Sequence, residues 1–298
     1  MRVLASARMP GPLLAVDRPN LLYRAFFALP RSITDAEGNP VNALLGTANY
    51  ILLAIERYAP RAVVLCDGAE AAVYRKELLP SYHQDRPPMP EELARQFADS
   101  EAFFGAFGWT TLIHDTLEAD DLLGSLASEE VEAGGEALLF TGDRDMFQCA
   151  SDHVRVLFPS TGSKDGPEEI GPAEVRKRYG IPPELVPDFI ALRGDPSDGI
   201  PGASGVGEKT ARDLLLDFGT LEGAIGNALR ARPKVRMALT ADPERLHKFK
   251  EMATLVRVPV QRPPDGPTDF EGGAAAARER GMNRLAERLE GLASRAGG

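Results

Sequence analysis

Five short apolar or β-branched runs alternate with amphipathic stretches in the first half of the chain. The runs cover residues 12–16, 62–66, 109–113, 137–140 and 154–158, and their length and composition are typical of buried strands. Between them, Asn42–Tyr58 and residues 118–131 repeat apolar side chains at helical spacing. Strands that alternate with helices predict an α/β domain built on a mainly parallel sheet.

Beyond residue 166 the strand-like runs stop, and short helical stretches separated by Gly and Pro follow. These stretches are 172–179, 183–193, 209–218, 221–229 and 244–255, and a last amphipathic helix covers 283–293. The pattern predicts an N-terminal extension at 1–11, an α/β domain at 12–165 and a helical domain at 166–298. Residues 71–107 form an insertion in the α/β domain that is too long for a simple connection.

Composition and charge exclude several classes of protein. The chain is 43% hydrophobic and 26% charged, as in globular proteins, and it contains no apolar run of bilayer length. Its two cysteines, Cys66 and Cys149, cannot build a disulfide framework, and the first ten residues lack a secretory signal. We therefore expect a cytoplasmic protein. The formal net charge of -10 is concentrated in a few acidic clusters, so it does not decide the partner.

The acidic clusters carry the strongest chemical signal. Asp17, Asp67 and Asp143 follow apolar runs directly or within three residues, and ligand groups gather at the carboxyl ends of parallel strands. Glu118, Asp120 and Asp121 open a predicted helix, where complementing the helix dipole is an alternative role. That role does not explain the complete series, which also includes Asp145, Asp195 and Asp198. So many carboxylates need cations, and all-oxygen ligands suit Mg²⁺ or Mn²⁺ in phosphodiester chemistry.

A glycine-rich segment at 202–211 is the second signal. Its spacing is not that of a Walker A loop, and no strand precedes it. It lies between two predicted helices, where glycines expose backbone N–H groups that bind phosphate, although a plain connecting loop is the alternative. Seven basic residues against two acidic ones in 227–250 are usual for a solvated helix face. Beside a phosphate-binding turn, they favour a footprint for a DNA backbone.

In their order along the chain, these motifs resemble the bacterial 5′-nuclease (flap endonuclease) family, which includes the 5′→3′ exonuclease domain of DNA polymerase I. The matching motifs include Ala15-Val16-Asp17, Leu65-Cys66-Asp67, residues 117–121, residues 141–145 and residues 193–211. The resemblance implies a PIN-like α/β domain with a mainly parallel sheet and a helical arch at about 71–107. It further implies a helical domain with a helix–three-turn–helix, and metal-dependent hydrolysis of DNA or RNA at 5′ ends, flaps and junctions.

The resemblance also implies roles for individual residues. One metal site would use Asp17, Asp67, Glu118, Asp120 and Asp121, and a second would use Asp143, Asp145, Asp195 and Asp198. The arch would supply the catalytic cations Arg75, His83 and Arg86. Duplex DNA would bind at Gly202, Gly205, Gly207, Lys209 and Thr210, a turn that also carries a K⁺ ion in the family. The cofactors would be two divalent cations, Mg²⁺ or Mn²⁺.

Three positions depart from the family pattern. The residue after the first acid is usually glycine but is Arg18 here, and the aromatic residue before Arg75 is Tyr74 rather than Phe. The arch lysine is replaced by His83, which is charged only in part near neutral pH. The chain ends where the nuclease ends, so the resemblance implies a standalone enzyme.

Two other functions stay open at this point. One is a DNA-junction binding protein without catalysis, and the intact acid series argues against it. The other is a PIN-type ribonuclease, and the helical lobe with its glycine turn argues against that. The expected partner is branched or 5′-ended duplex DNA, and we expect a monomer with no membrane association.

Overall fold

The centre of the protein is a six-stranded sheet with the strand order β3-β2-β1-β4-β5-β6. A computed structural model describes residues 11–84, 86–159 and 166–296 of the chain. The first five strands are parallel and β6 is antiparallel to β5, which confirms the predicted α/β class. The strands are β1 (Leu13–Asp17), β2 (Ala62–Gly68), β3 (Thr110–His114), β4 (Ala137–Phe140), β5 (Val154–Phe158) and β6 (Glu168–Ile170).

Helices cover both faces of the sheet and form most of the second half of the chain. Those before β5 are α1 (Arg18–Ala28), α2 (Asn42–Tyr58), α3 (Val73–Leu78), α4 (Glu91–Gly105) and α5 (Ala119–Glu132). Those after β6 are α6 (Pro172–Tyr179), α7 (Val186–Arg193), α8 (Glu208–Phe218), α9 (Leu221–Gly226), α10 (Pro233–Thr240), α11 (Pro243–Ala253), α12 (Phe270–Glu279) and α13 (Asn283–Ala296). None of the helices in the described ranges is long and apolar enough to cross a membrane.

The core lies in two layers, one on each face of the sheet. Between them, β1 is buried along its whole length. Leu13 and Ala15 face the layer that contains α5 and the helices α7 to α11. Leu14 and Val16 face the opposite layer, which contains α1, α2 and α4. A strand that is buried on both faces has no solvent-facing positions, and this explains why every residue of β1 before Asp17 is apolar.

The second half of the chain differs from the sequence expectation in two ways. The expectation that no strand follows residue 166 was wrong, because β6 extends the sheet beyond β5. With three residues, of which only Ile170 is buried, β6 is too short to leave an apolar pattern. The helices α10 and α12 were also not predicted.

The last two helices pack apart from the other C-terminal helices. Leu285 and Leu289 of α13 share a buried cluster with Phe103 and Phe107, on the face opposite to α7–α11. The predicted domain at 166–298 therefore contains two packing units, and its boundary with the domain at 12–165 stays a prediction. Apart from Gly11, the predicted extension at 1–11 lies outside the described residues.

Candidate functional site

A hydrogen bond between Asp17 and Thr141 links the carboxyl ends of β1 and β4, the two central strands. Asp17 ends β1 and caps α1, where its Oδ1 atom accepts a hydrogen bond from the backbone N–H of Asn20 at 3.0 Å. Thr141 directly follows β4 and donates its hydroxyl to Asp17 Oδ2 at 2.7 Å. The same hydroxyl oxygen accepts the backbone N–H of Asp143 at 3.0 Å. The two strand-end acids are thereby held in fixed positions at one edge of the sheet.

Buried carboxylates at this edge raise one another's pKa. Burial, together with the charges of Asp143 and Glu118, raises the pKa of Asp17 to about 6. Burial and the charges of Asp198 and Asp195 likewise raise the pKa of Asp143 to about 6. Because these effects fall off with distance, acids from β1, β4, α5 and the turn after α7 lie close together.

Asp120 and Asp145 belong to the same group. Burial and the charge of Asp143 raise the pKa of Asp120 well above its ordinary value. Burial, Asp143 and Asp198 do the same to the pKa of Asp145, which begins a short 3₁₀ helix at Asp145–Cys149. Asp17, Asp120, Asp143 and Asp145 therefore lie close enough to affect one another, whereas the convergence of Asp67 with them stays a prediction.

Asp67 is compensated by a buried arginine. It lies at the end of β2, and its Oδ2 atom contacts the guanidinium of Arg18, the first residue of α1. Arg18 is 6% exposed and donates a further hydrogen bond to Ser100 Oγ at 3.2 Å. Sequence reasoning noticed Arg18 only as a departure from the family, because its pairing with Asp67 depends on the tertiary structure.

Arg75 is held entirely within the protein. Its Nη1 atom lies 2.9 Å from Glu118 Oε2 and its Nη2 atom 3.5 Å from Asp121 Oδ1. Its Nε atom donates to the backbone carbonyl of Met252 at 3.1 Å. Despite burial, the two carboxylates raise the pKa of Arg75. A side chain that is 6% exposed and bound to three groups leaves no free face for a phosphate.

The side chain of His83 is also almost fully covered, with 4% exposed. Its Nδ1 atom lies 3.0 Å from the carbonyl oxygen of Glu70 and its Nε2 atom 3.3 Å from Asp198 Oδ1. The ring stacks on Tyr82 with 3.7 Å between centroids. Burial alone would raise the pKa of Asp198, but the hydrogen bond from His83 and the charges of Arg75 and Arg86 outweigh burial and lower this pKa. Arg86 differs, because 46% of its side chain is exposed. Its Nη2 atom lies 4.0 Å from Asp198 Oδ1.

Asp195 lies in the turn after α7, where a two-residue bridge with Ile200 folds the chain back. Its Oδ1 atom accepts the backbone N–H of Ser197 at 2.8 Å, and its Oδ2 atom lies 3.4 Å from Arg193 Nη2. This turn places Asp195 and Asp198 beside the sheet-edge acids, since both affect the pKa of Asp143.

The donor set fits a hard divalent cation. Only carboxylates contribute, and the Oδ2 atom of Asp121 is buried without a hydrogen-bond partner, as expected of an atom available to an ion. In their present orientations, no three His, Cys, Asp or Glu side chains of residues 11–84, 86–159 and 166–296 surround a common point. Two of the acids, Asp67 and Glu118, point instead at the arginines Arg18 and Arg75.

The glycine segment forms the turn between α7 and α8. Gly202 has a φ of +69°, and a Cβ atom there would lie 2.4 Å from the backbone N of Gly194, so glycine is required for folding. Gly207 has a φ of -93° and precedes α8, and a Cβ atom there would meet nothing within 4 Å. Lys209 is exposed and Thr210 is half-buried in the first turn of α8.

Lys234 of α10 lies against this turn, although the predicted DNA-binding residues did not include it. A Cβ atom on Gly205 would lie 3.3 Å from Lys234 Nζ. The lysine itself is exposed. The basic run at 227–250 was the available signal, but its proximity to the turn depends on how α10 packs.

Carboxylates at the carboxyl edge of a parallel sheet, beside helices joined by an exposed glycine turn, define the class of 5′ nucleases that the motifs resembled. Comparison with known families agrees. Residues 12–180 match the N-terminal resolvase-like domain of 5′-3′ exonucleases, and residues 181–266 match their C-terminal SAM fold. The chain belongs to the 5′-3′ exonuclease family.

Individual relatives extend this comparison. Thermostable DNA polymerase I of Thermus filiformis is 39% identical over 247 residues, which are 83% of this chain and 29% of that protein. The chain thus spans about a third of the length of such curated relatives. The T5 D15 flap endonuclease, in a pseudo-enzyme-product complex with DNA and metal ions, has a TM-score of 0.68 at 21% identity, covering 95% of this chain and 99% of that chain. The catalytic core of Rad2 in complex with DNA substrate has a TM-score of 0.63 at 13% identity, covering 94% and 91%.

Proposed function

We propose that the protein is a structure-selective 5′ nuclease that uses two divalent cations to hydrolyse phosphodiesters of branched or 5′-ended duplex DNA. The observation that carries the proposal is the group of buried acids at the sheet edge. Asp17, Asp120, Asp143 and Asp145 all have a raised pKa because they are buried near like charges. Cations would neutralise this group and keep it ionised at neutral pH.

The chain's own residues would hold and orient the reactants. Bound Mg²⁺ or Mn²⁺ supplies a Lewis acid that lowers the pKa of water and stabilises the leaving oxygen. Asp17 and Asp143 would serve as rigid ligands, because Thr141 holds the Asp17 carboxylate and the Asp143 backbone while the backbone N–H of Asp145 holds the Asp143 carboxylate. Arg86 would contact the scissile phosphate, since its exposed guanidinium is near Asp198. Arg75 would instead keep Glu118 in position.

The turn before α8 would bind the duplex through its phosphates. Gly207 leaves open space beside the first backbone N–H groups of α8, and such groups bind phosphate well. Lys209, exposed in the first turn of α8, and Lys234, beside Gly205, add positive charge near the turn. These contacts carry no base information, so binding would depend on the shape of the substrate and not on its sequence. A K⁺ ion at this turn is part of the same proposal.

The test is single-turnover cleavage of flap, nicked and 5′-overhang duplexes in Mg²⁺, Mn²⁺ or EDTA. The wild type should cleave in either metal but not in EDTA. Asp120→Asn should abolish cleavage and leave duplex binding intact, because it removes a ligand together with some repulsion of phosphate. Asp152→Asn is the matched control, since Asp152 is exposed and precedes β5 at the opposite edge of the sheet.

Other results would contradict the assignment of the acids or favour one of the two alternative functions. Normal cleavage by Asp120→Asn would contradict the assignment of the acids. Tight junction binding by the wild type without cleavage in any metal would favour the non-catalytic binding protein. Cleavage of RNA alone would favour the ribonuclease.

A further inference from the structure

A polar cavity of about 520 Å³ lies at the base of the insertion at 71–107. Its wall carries two exposed cations, Lys76 and Arg86, and the side chain of His83. Tyr82, also in the wall, donates a hydrogen bond to Glu118 at 3.1 Å. The cavity therefore adjoins the acids of the candidate site, and its wall carries the two cations Lys76 and Arg86 against one exposed acid, Glu70.

His83 cannot act as the free cation of this cavity. Its two ring nitrogens face Glu70 and Asp198, and its side chain is 4% exposed. The ring would have to leave Tyr82 and both hydrogen-bond partners to reach a phosphate. Any charge that it carries is already opposed by the carboxylate of Asp198.

Lys76 has the freedom that His83 lacks. It follows Arg75 in α3, and successive helical residues point about 100° apart. Arg75 therefore lies in the protein interior, while Lys76 is exposed on the cavity wall. Among the described residues, Lys76 takes part in no ion pair. Its ammonium group, on a flexible stem, is a compact charge that suits a phosphate oxygen.

We infer that Lys76 binds a phosphate of the substrate's 5′ strand in this cavity, together with Arg86. This inference rests on the proposed function and adds a substrate-contacting residue to it. The charge that His83 cannot offer would then come from α3. Nothing in the acid series or the glycine turn identifies Lys76, because the assignment depends on which cations the fold leaves free.

The experiment compares Lys76→Gln with Lys76→Arg and with Lys177→Gln, which removes an exposed lysine of α6 next to β6. Single-turnover cleavage of a 5′-flap substrate should fall about tenfold or more in Lys76→Gln, the usual effect of losing one charged hydrogen bond. Lys76→Arg should retain most of the rate, and Lys177→Gln should match the wild type. Circular dichroism and thermal melting should be unchanged in all three variants.

Binding without cleavage gives an independent readout. In EDTA, the slope of log affinity against log salt for the flap should shrink by about 0.7 to 0.9 in Lys76→Gln, as for one lost phosphate contact. Wild-type rate and slope in Lys76→Gln would overturn the inference, as would a reduced slope in His83→Gln alone. A wild type that cleaves no DNA would refute the proposed function, and the salt slope would still decide the role of Lys76.

Discussion

Replacement of Gly207 by Val separates binding at the glycine turn from folding. With φ at -93° and ψ at -179°, Gly207 has an extended backbone that any residue adopts. The space around its missing Cβ is open to 4 Å. Folding therefore needs no glycine at 207, whereas the positive φ and the close backbone contact at Gly202 do require one. The remaining reasons for glycine at 207 are its place as the N-cap of α8, where glycine is favoured, and the close approach of a ligand.

The expected magnitudes follow from this difference. Gly207→Val should lower the free energy of unfolding by about 1 kcal/mol or less, because it removes a favourable N-cap of α8 without creating strain. The new side chain would stand between a phosphate and the first N–H groups of α8. Loss of one hydrogen bond to a charged group costs about 1.5–3 kcal/mol, which raises the Kd for duplex roughly 10-fold to 100-fold.

The assay pairs urea unfolding with fluorescence anisotropy on two duplexes of unrelated sequence. Gly291→Val is the control, because Gly291 is also exposed with open space around it but belongs to α13. Gly207→Val should weaken binding to both duplexes equally, and the control should bind normally. An unchanged Kd would refute the phosphate role. Loss on one sequence alone would show that the turn reads bases.

Three further results are expected. Glu130→Gln should lower the free energy of unfolding by about 3 kcal/mol in urea titrations, because it removes the buried carboxylate beside Arg61 and leaves that arginine only the exposed Asp265 as an acidic partner among the described residues, whereas Glu132→Gln in an exposed pair should leave the stability nearly unchanged. In EDTA, Asp17 and Asp143 have a pKa of about 6 in the folded protein, against 3.8 ordinarily. Because the folded state binds these protons more tightly than the unfolded state, protonation stabilises the fold at low pH. This contribution is lost as the pH rises from about 4 to 6 and amounts to at most about 3 kcal/mol for each acid. Relative to the wild type, Asp143→Asn should therefore gain stability over that range, and a constant difference in urea titrations would contradict the assigned pKa. Arg18→Gly should bind Mn²⁺ more tightly in calorimetry without DNA, because a buried cation leaves the acid site, and equal affinity would contradict that role.

The sheet and its strand-end acids could be predicted because a buried strand requires a run of apolar residues in the sequence. β4 and β5 coincide with predicted apolar runs, and β1 extends beyond its run only by Asp17, while parallel topology alone brings Asp17 and Asp143 to the same edge. This pattern is missing from β6, because a three-residue strand at the side of the sheet buries little apolar surface. The prediction also fails for α12, whose Gly and Ala residues pack closely against Phe107 but give a weak helical signal.

The pairing of side chains within the site could not be predicted. Sequence reasoning placed Arg75 and His83 as free cations of the arch. In the structure, Arg75 is bound by the carbonyl of Met252, from a helix that lies far along the chain. His83 is bound by Asp198, which α7 and its following turn deliver. These contacts depend on how distant elements pack, and a motif does not encode them.

The pairing divides the nine acids of the site into two electrostatic groups. Five of them contact an arginine or a histidine, namely Asp67, Glu118, Asp121, Asp195 and Asp198. The other four, Asp17, Asp120, Asp143 and Asp145, make no ion pair with a described residue, and burial with like charges raises the pKa of each. A divalent cation gains most where negative charge is least compensated, so in the proposed two-ion mechanism the first ion should bind among these four. A second ion that uses Asp67 or Glu118 would have to compete with Arg18 or Arg75, and in that mechanism the two arginines would set how readily it binds.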